Sequence, residues 1–446
     1  MARAAVDADF NGSTREVVCK LDIYFDGEEQ PPMTITRDDY LVDADFLNES
    51  GADSTNPLNA ISSDEITFRL YNENGLFNPS NTSGALYGKI KTKVLVIPSI
   101  RPVVDDDEVN WIQLGKYYVT DWRAAITGTI ADVVANDKLF EVFNMVAPVM
   151  PIMEDITFYN FFRKYFRALK QLDTRVKVDE SLLTTVPYAY TKESIIDSLQ
   201  EMTQGAMAMC ICNKEGIIAV ESLTKQRSVR AILTDEDQII SADIQQTALK
   251  AYDGVELTYL YGQLTDQIEV LRLQNLTFQS GVSGLDKTAF TTTPVRVVSY
   301  CSVQAPENTY IRSYIATPWD IKMTAVNETG EAITGTVIVN GYAVNFVENY
   351  LVDEGDKLLK IKNEFIQRKS YARTYKELLN RFVSNDIPTL TLSIRGNPLL
   401  NIGDKVRVVS TKYNLDYTGI IQRLKYRYDG GLTCDMTLLN ATILEV

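Results

Sequence analysis

A chain of 446 residues is too long for one ordinary core and implies two to four domains, each large enough to bury a core without staples. Its 45% hydrophobic and 23% charged composition is that of a globular protein, with no apolar run near the roughly 20 residues that cross a bilayer. A net charge of −15 argues against a nucleic-acid grip, which needs clustered Lys and Arg, and the absence of histidine excludes Ser-His-Asp and Cys-His nucleophiles and His-ligated zinc.

Residues Met1 to Gly12 carry Asp7 and Asp9 and no apolar core, so they do not read as a secretory signal, and synthesis in a cytoplasm is expected. The stretch to about Ala147 is strand-rich. Cys19, Leu21, Ile23 and Phe25 alternate with Lys20, Asp22 and Tyr24 before a turn at Asp26-Gly27, and Ile66, Phe68 and Leu70 alternate with Thr67 and Arg69. Gly88 to Ile97, Leu114 to Trp122 and Ala124 to Val134 are further predicted strands, and Leu139 to Val146 a short helix. Strands without a long intervening helix predict an antiparallel barrel or sandwich, with Tyr117, Tyr118 and Trp122 packed in its core and rim.

The pattern changes over 154–225. Phe158, Phe161, Phe162, Tyr165, Phe166 and Leu169 recur at helical spacing, with Arg163, Lys164 and Arg167 between them, so this basic helix docks by a wide apolar face. A second helix starts at Thr191 as N-cap, buries Ile195, Ile196, Leu199 and Met202, and ends at Gly205. A hairpin follows, Ala206 to Cys212 and Ile217 to Glu221, around the turn Asn213 to Gly216. Cys210 and Cys212 share one strand face, but too few ligands complete a zinc site, and all five cysteines read as thiols rather than a disulfide frame.

Strands return at Gly254 to Tyr261 and Gln267 to Leu273, residues 279–293 read as a loop, and a β patch covers Val295 to Cys301 and Ile311 to Phe346. Asn340-Gly341 is the strongest hairpin signal. A long amphipathic helix is expected from Asp356 to Val383, with Asp353, Glu354 and Asp356 at its N-terminus and a basic side from Lys357 to Arg381 that is either a docking face or solvated. The last sixty residues give a small antiparallel sheet: Leu390 to Arg395, Gly396-Asn397-Pro398, Gly403-Asp404, Lys405 to Val409, Tyr417 to Tyr428, Gly430-Gly431, and the final Cys434, Met436 and Leu438.

Chemical motifs fail on spacing. Gly84 to Ile90 is one residue short of a phosphate loop and has Ile90 where a Mg-binding hydroxyl is needed. Asp105 to Glu108 lacks the spacing and glycine of a calcium loop and reads as a solvated turn. Paired carboxylates remain open for catalysis, since the separation that matters there is spatial.

The C-terminal order, Gly396-Asn397-Pro398, Gly403-Asp404, Tyr417-x-Gly419, then Gly430-Gly431 before the last strand, resembles the C-terminal part of tail-tip hub proteins of tailed bacteriophages. Phe68 to Asn72 with Phe77, Gly88 to Val96 and Gly115 to Trp122 resemble the N-terminal barrel of the same family, and the helix-hairpin segment its inserted domain. The resemblance implies a mainly β fold with an α+β insertion: a tube-like β-barrel at 1–147, an inserted α/β domain at 148–235, a second barrel from 236–290 and 384–446, and a β-rich insertion with the long helix at 291–383. It further implies a structural, non-enzymatic homotrimer without cofactor or metal, residing at the virion tail tip. Its partners would be a hexameric tail tube protein, a distal tail protein, a tape measure protein and a central spike or fibre, with phage DNA passing through the lumen. A receptor- or carbohydrate-binding tail protein, which the 24 tyrosines would suit, and a cell-wall hydrolase are the other readings.

Overall fold

The computed structural model describes residues 16–51, 58, 61–103, 110–125, 128–170, 175–235, 239–243, 252–291, 293–305, 308–385 and 389–444. The acidic run 105–108 and residues 1–12 lie outside them. The chain begins with β1 (Val17–Tyr24), β2 (Met33–Thr36), β3 (Leu41–Glu49), β4 (Glu65–Tyr71), β5 (Leu95–Pro102), β6 (Ile112–Gln113), β7 (Tyr117–Ala124) and β8 (Ile130–Asn136). Strict alternation drives these strands: Cys19, Leu21 and Ile23 of β1 and Ile66, Phe68 and Leu70 of β4 are buried.

Next come α1 (Lys138–Phe143), β9 (Met153–Thr157), α2 (Phe158–Ala168), β10 (Val176–Val178), β11 (Thr185–Ala189), α3 (Ile195–Gly205), β12 (Ala208–Cys212) and β13 (Ile218–Ser222). Thr157 caps α2 by accepting from the Asn160 N–H at 3.3 Å, and the aromatic stripe of α2 is buried. The cap of α3 is Ser194, not Thr191, because its hydroxyl reaches the Asp197 N–H, and Ile196 faces outward, 42% exposed.

Then follow β14 (Val229–Thr234), β15 (Ile239–Asp243), β16 (Gly254–Leu264), β17 (Ile268–Phe278), β18 (Gly281–Ala289), β19 (Val295–Gln304), β20 (Thr309–Ala316), β21 (Asp320–Asn327), β22 (Ile333–Val352) and β23 (Leu358–Asn363). The chain ends with α4 (Lys369–Ser384), β24 (Thr389–Arg395), β25 (Lys405–Ser410), β26 (Leu415–Tyr428), β27 (Leu432–Asn440) and α5 (Ala441–Leu444).

The fold is mainly β, with two curled half-barrels that join in one 14-stranded sheet of order β15-β24-β27-β26-β3-β4-β8-β7-β5-β1-β2. β25 pairs with the first part of β26, and β14 lies parallel on β25. The join is β26 itself, whose Arg423–Tyr428 segment pairs with β27 on one side and β3 on the other. One apolar cluster serves both halves, with Phe46, Phe68 and Val133 from one and Ile394, Leu424 and Met436 from the other.

Several sequence expectations change. Residues 254–290 do not enter the second half-barrel, which takes β14 and β15 instead: β16 pairs with β22 and β23, β17 with β22, and β18 with β21. Residues 281–289 are thus strand, not loop. The expected helix from Asp356 starts only at Lys369, because Leu359 and Ile361 alternate with Lys360 and Lys362 and so form β23. Asp353 therefore sits between strands, accepting from the Lys376 ammonium and, at 3.0 Å, from the Val255 N–H. Lys360 and Lys362 neutralise Glu256 and Glu348 at 3.0 and 2.6 Å. The strand expected from Gly88 begins at Leu95.

Asn340-Gly341 makes no hairpin. β22 runs straight through it, with Gly341 paired to Ile268 of β17 and Val298 of β19. Glycine is needed for closeness rather than for turning, since a Cβ there would stand 2.6 Å from the Val297 carbonyl oxygen. Gly341→Val should cost about 2 kcal/mol by overpacking, while Gly284→Val, whose Cβ meets nothing within 4 Å, should leave the urea midpoint nearly unchanged.

Candidate functional site

The turn of the β12–β13 hairpin, closed by Gly216 at φ +77° and the Gly216 N–H to Asn213 carbonyl bond of 2.8 Å, carries Lys214 into a three-way junction. The Lys214 ammonium donates to the carbonyls of Pro398 at 2.5 Å and Leu400 at 2.7 Å, in the loop between β24 and β25. Gln113 of β6 donates to the Lys214 carbonyl. One residue of the inserted domain thus holds both half-barrels. Although Lys214 keeps some exposed area, its ammonium lies within the protein, and burial pulls its pKa down to about 8.

Most of the sequence signature gathers here. The Gly396 N–H donates to the Leu432 carbonyl at 3.1 Å. Asn397 accepts from the Leu399 N–H at 3.0 Å with its side chain and from the Tyr426 hydroxyl at 2.8 Å with its carbonyl. Pro398 offers its carbonyl to Lys214, and Gly403, at φ +86°, sits so close to β12 that a Cβ would lie 2.4 Å from Met209 Cε. The Asp404 carboxyl accepts the Asn401 N–H at 2.9 Å, and burial raises its pKa. Tyr417 is buried, and a Cβ on Gly419 would press within 2.8 Å of the Leu438 side chain. Gly430 and Gly431 stand apart, in the β26–β27 turn, where Arg37 donates to the Asp429 carbonyl at 2.5 Å.

Between the outer face of the β10-β13-β12 sheet and the second half-barrel lies a cavity of about 690 Å³, lined by Asp64, Lys177, Asp179, Arg227, Arg230 and Lys405 among others. Asp64 leads to a second buried polar group where the first half-barrel meets α1. Its carboxylate accepts from Asn48 Nδ2 at 2.7 Å and the Glu49 N–H at 2.9 Å, while Asn48 Nδ2 also reaches the Tyr117 hydroxyl at 3.2 Å. The Asp64 carbonyl accepts the Asp137 N–H at 3.0 Å, and the Asp137 carboxylate caps α1 through the Leu139 and Phe140 N–H groups. Among the described residues no cation ion-pairs with either aspartate. Burial raises the Asp137 pKa to about 7, and burial followed by the Asp137 charge raises Asp64 well above the carboxylate range.

Sequence reasoning found the 213–216 turn but not the buried lysine in it, nor the Asp64 and Asp137 pair, whose partners are set by sheet pairing rather than by local pattern. Cys210 and Cys212 are both buried, and no group of three or more His, Cys, Asp or Glu side chains able to hold a metal ion occurs among the described residues.

No protein-family model matches the sequence, and no curated protein matches it. Solved structures do match. The 43 kDa tail protein of prophage MuSo2 from Shewanella oneidensis superposes with a TM-score of 0.53 at 9% identity, over 96% of this chain and 100% of that one. A tail protein from Neisseria meningitidis MC58 gives 0.54 at 9% identity, over 96% and 98%. The chain has the phage tail-protein fold. Both alignments run through nearly the whole of each chain.

Two tests address the junction. Asp137 binds its proton more tightly folded than unfolded, so its contribution is fully present below the ordinary carboxylate pKa and is lost as pH rises through about 7. Asp137→Asn, which keeps the capping oxygen, should therefore gain on the parent between pH 4 and 7 in thermal melts and run parallel above that. Lys214→Met strands two carbonyls and should cost about 2 kcal/mol in urea unfolding.

Proposed function

We propose that this chain is the structural hub of a phage tail tip: a homotrimeric ring that continues or closes the tail tube and anchors the distal tip proteins for DNA delivery. The observation that carries this reading is the pair of half-barrels fused in one sheet, within a fold that follows phage tail proteins from end to end. Two tube-like halves per chain let three copies present six, the symmetry a hexameric tube requires.

The halves are residues 16–136 and, in the second, 229–243 with 389–444. Among the described residues the sheet also ends in open edges: β2 at one end, β15 at the other, with β14 open beside β25. Open edges invite pairing with a neighbouring chain, and head-to-tail pairing of unlike edges closes into a ring when the rotation permits. Ile232 on β14 and Ile240 on β15 are 55% and 52% exposed, apolar area that a neighbour would cover.

In this role the chain does no chemistry. The tube protein, distal tail protein, tape measure and central spike or fibre are its neighbours, the virion tail tip is its location, and DNA passes without specific binding. No helix among the described residues is long and apolar enough to cross a membrane.

A second reading, binding of a surface glycan, draws on Tyr300, Tyr310 and Tyr314 of the β-rich insertion, which are 50%, 45% and 42% exposed. Light scattering with negative-stain microscopy separates the two. The hub reading expects a mass three times that of one chain and a ring with a central hole. A monomer at all concentrations that binds a glycan array would replace it.

A further inference from the structure

The outer face of α2 is a basic stripe. Arg163, Lys164 and Arg167 are all exposed, with Arg163 and Arg167 one turn apart on one line, and exposed Lys170 follows just past the helix end at φ +57°. Arg175, also exposed, lies just before β10, whereas Lys177 faces the opposite side of that sheet, where it lines the cavity described above. Like charges three and four residues apart weaken a helix, so the stripe costs local stability. Arg163 is held over the Tyr159 ring at 5.4 Å, and Lys164, Lys170, Arg175 and Lys177 ion-pair with no carboxylate among the described residues.

The stripe is at odds with the rest of the chain. Residues 148–235 hold eleven basic and eleven acidic residues, so the whole net charge of −15 lies outside that segment. One acidic concentration brackets β2, an edge strand among the described residues: Asp26, Glu28 and Glu29 before it and Asp38 and Asp39 after it, all exposed, with Arg37 beside them donating to the Asp429 carbonyl. Asp26 is taken by Lys89 at 2.8 Å, whereas Glu28, Glu29 and Asp38 ion-pair with nothing among the described residues. A four-residue edge strand with charged flanks is blunted against indiscriminate pairing, yet among the described residues it keeps one ladder unpaired.

We propose that the α2 stripe docks on the acidic β2 end of a second copy of this chain, so that head-to-tail contacts between copies are steered and registered by charge. This deepens the ring reading above and rests on it. The contact is heterologous: each copy offers its stripe to one neighbour and its β2 end to the other, as closure of a ring requires. Complementary charge across a rim gives orientation and association rate, and salt screens it.

Sedimentation velocity of the full chain in 50 and 500 mM NaCl tests this. The parent should assemble about tenfold less tightly at high salt. Arg163→Glu with Arg167→Glu should weaken assembly at low salt by at least about tenfold and abolish the salt response. Adding Glu28→Lys and Glu29→Lys to that pair should restore both. Circular dichroism spectra that match the parent, with a cooperative melt in every variant, exclude misfolding as the cause.

A parent that stays monomeric throughout defeats the ring reading itself. A parent that assembles while the double variant assembles equally well, with the same salt response, overturns this proposal and leaves the ring. So does a double variant that the charge swap fails to rescue, and so does a parent that binds duplex DNA through the stripe while its assembly is indifferent to the reversal.

Discussion

Everything in this chain depends on one strand having two partners on the same side. The first part of β26 pairs with β25, and the last part, from Arg423, pairs with β3. The change of partner falls at Gln422, where the β26–β27 register shifts and the Gln422 carbonyl is taken by the Ser50 N–H at 2.8 Å. A bulge at that point bends the strand and sharpens its twist, which is what allows one ladder to leave the second half-barrel and enter the first. Charge reinforces the pairing: Arg423 stands across from Glu49 at 3.7 Å and Lys425 near Asp45 at 4.0 Å. These exposed pairs add register more than stability. Stability comes from the shared core beneath, where Leu424 and Tyr426 of β26 meet Phe46 of β3.

That geometry explains which parts of the molecule were legible in its sequence. Period-two strands buried on one face, such as β1, β4, β24 and β27, announce themselves, and so do helices with a full aromatic face such as α2. Turns marked by glycine at positive φ, at Gly27, Gly216 and Gly403, were equally readable. A glycine doing another job misled. Gly341 serves close approach within a sheet, and nothing local separates that need from a turn. The 356–368 stretch failed for a similar reason: six basic and acidic residues among apolar ones fit a helix surface as well as a strand edge, and only the parallel pairing of β23 with β16 decides between them. Residues 254–290 were expected in the second barrel for want of the same information, since their partners β21, β22 and β23 are set by long-range pairing.

The candidate site was half legible. Its glycines and its Asn-Pro step are written in the loop between β24 and β25, but the lysine that organises that loop comes from a hairpin 184 residues earlier in the chain. No local pattern reports such a partner. The same holds for Asp64 and Asp137, whose burial comes only from the folding of β3, β7 and α1 around them.

Polar links of this kind recur wherever the inserted segments meet the half-barrels or one another. Lys214 ties the α/β hairpin to the β24–β25 loop, the Trp319 indole of the β-rich insertion donates to the Thr191 carbonyl at 2.7 Å, and Gln367 both donates to and accepts from the Tyr188 backbone at 2.8 and 2.9 Å. Apolar contact alone is non-directional and lets two surfaces slide by a side chain's width. A buried hydrogen bond does not, because leaving its partner unmade costs about 1–3 kcal/mol. A few such bonds at each junction therefore select one orientation of each insertion from the many that apolar packing would accept. In the ring proposed above, that fixity would matter more than added stability: the stripe on α2 lies in one insertion and the acidic edge in a half-barrel, so the angle between them would set whether successive copies close into a ring or run on as a filament.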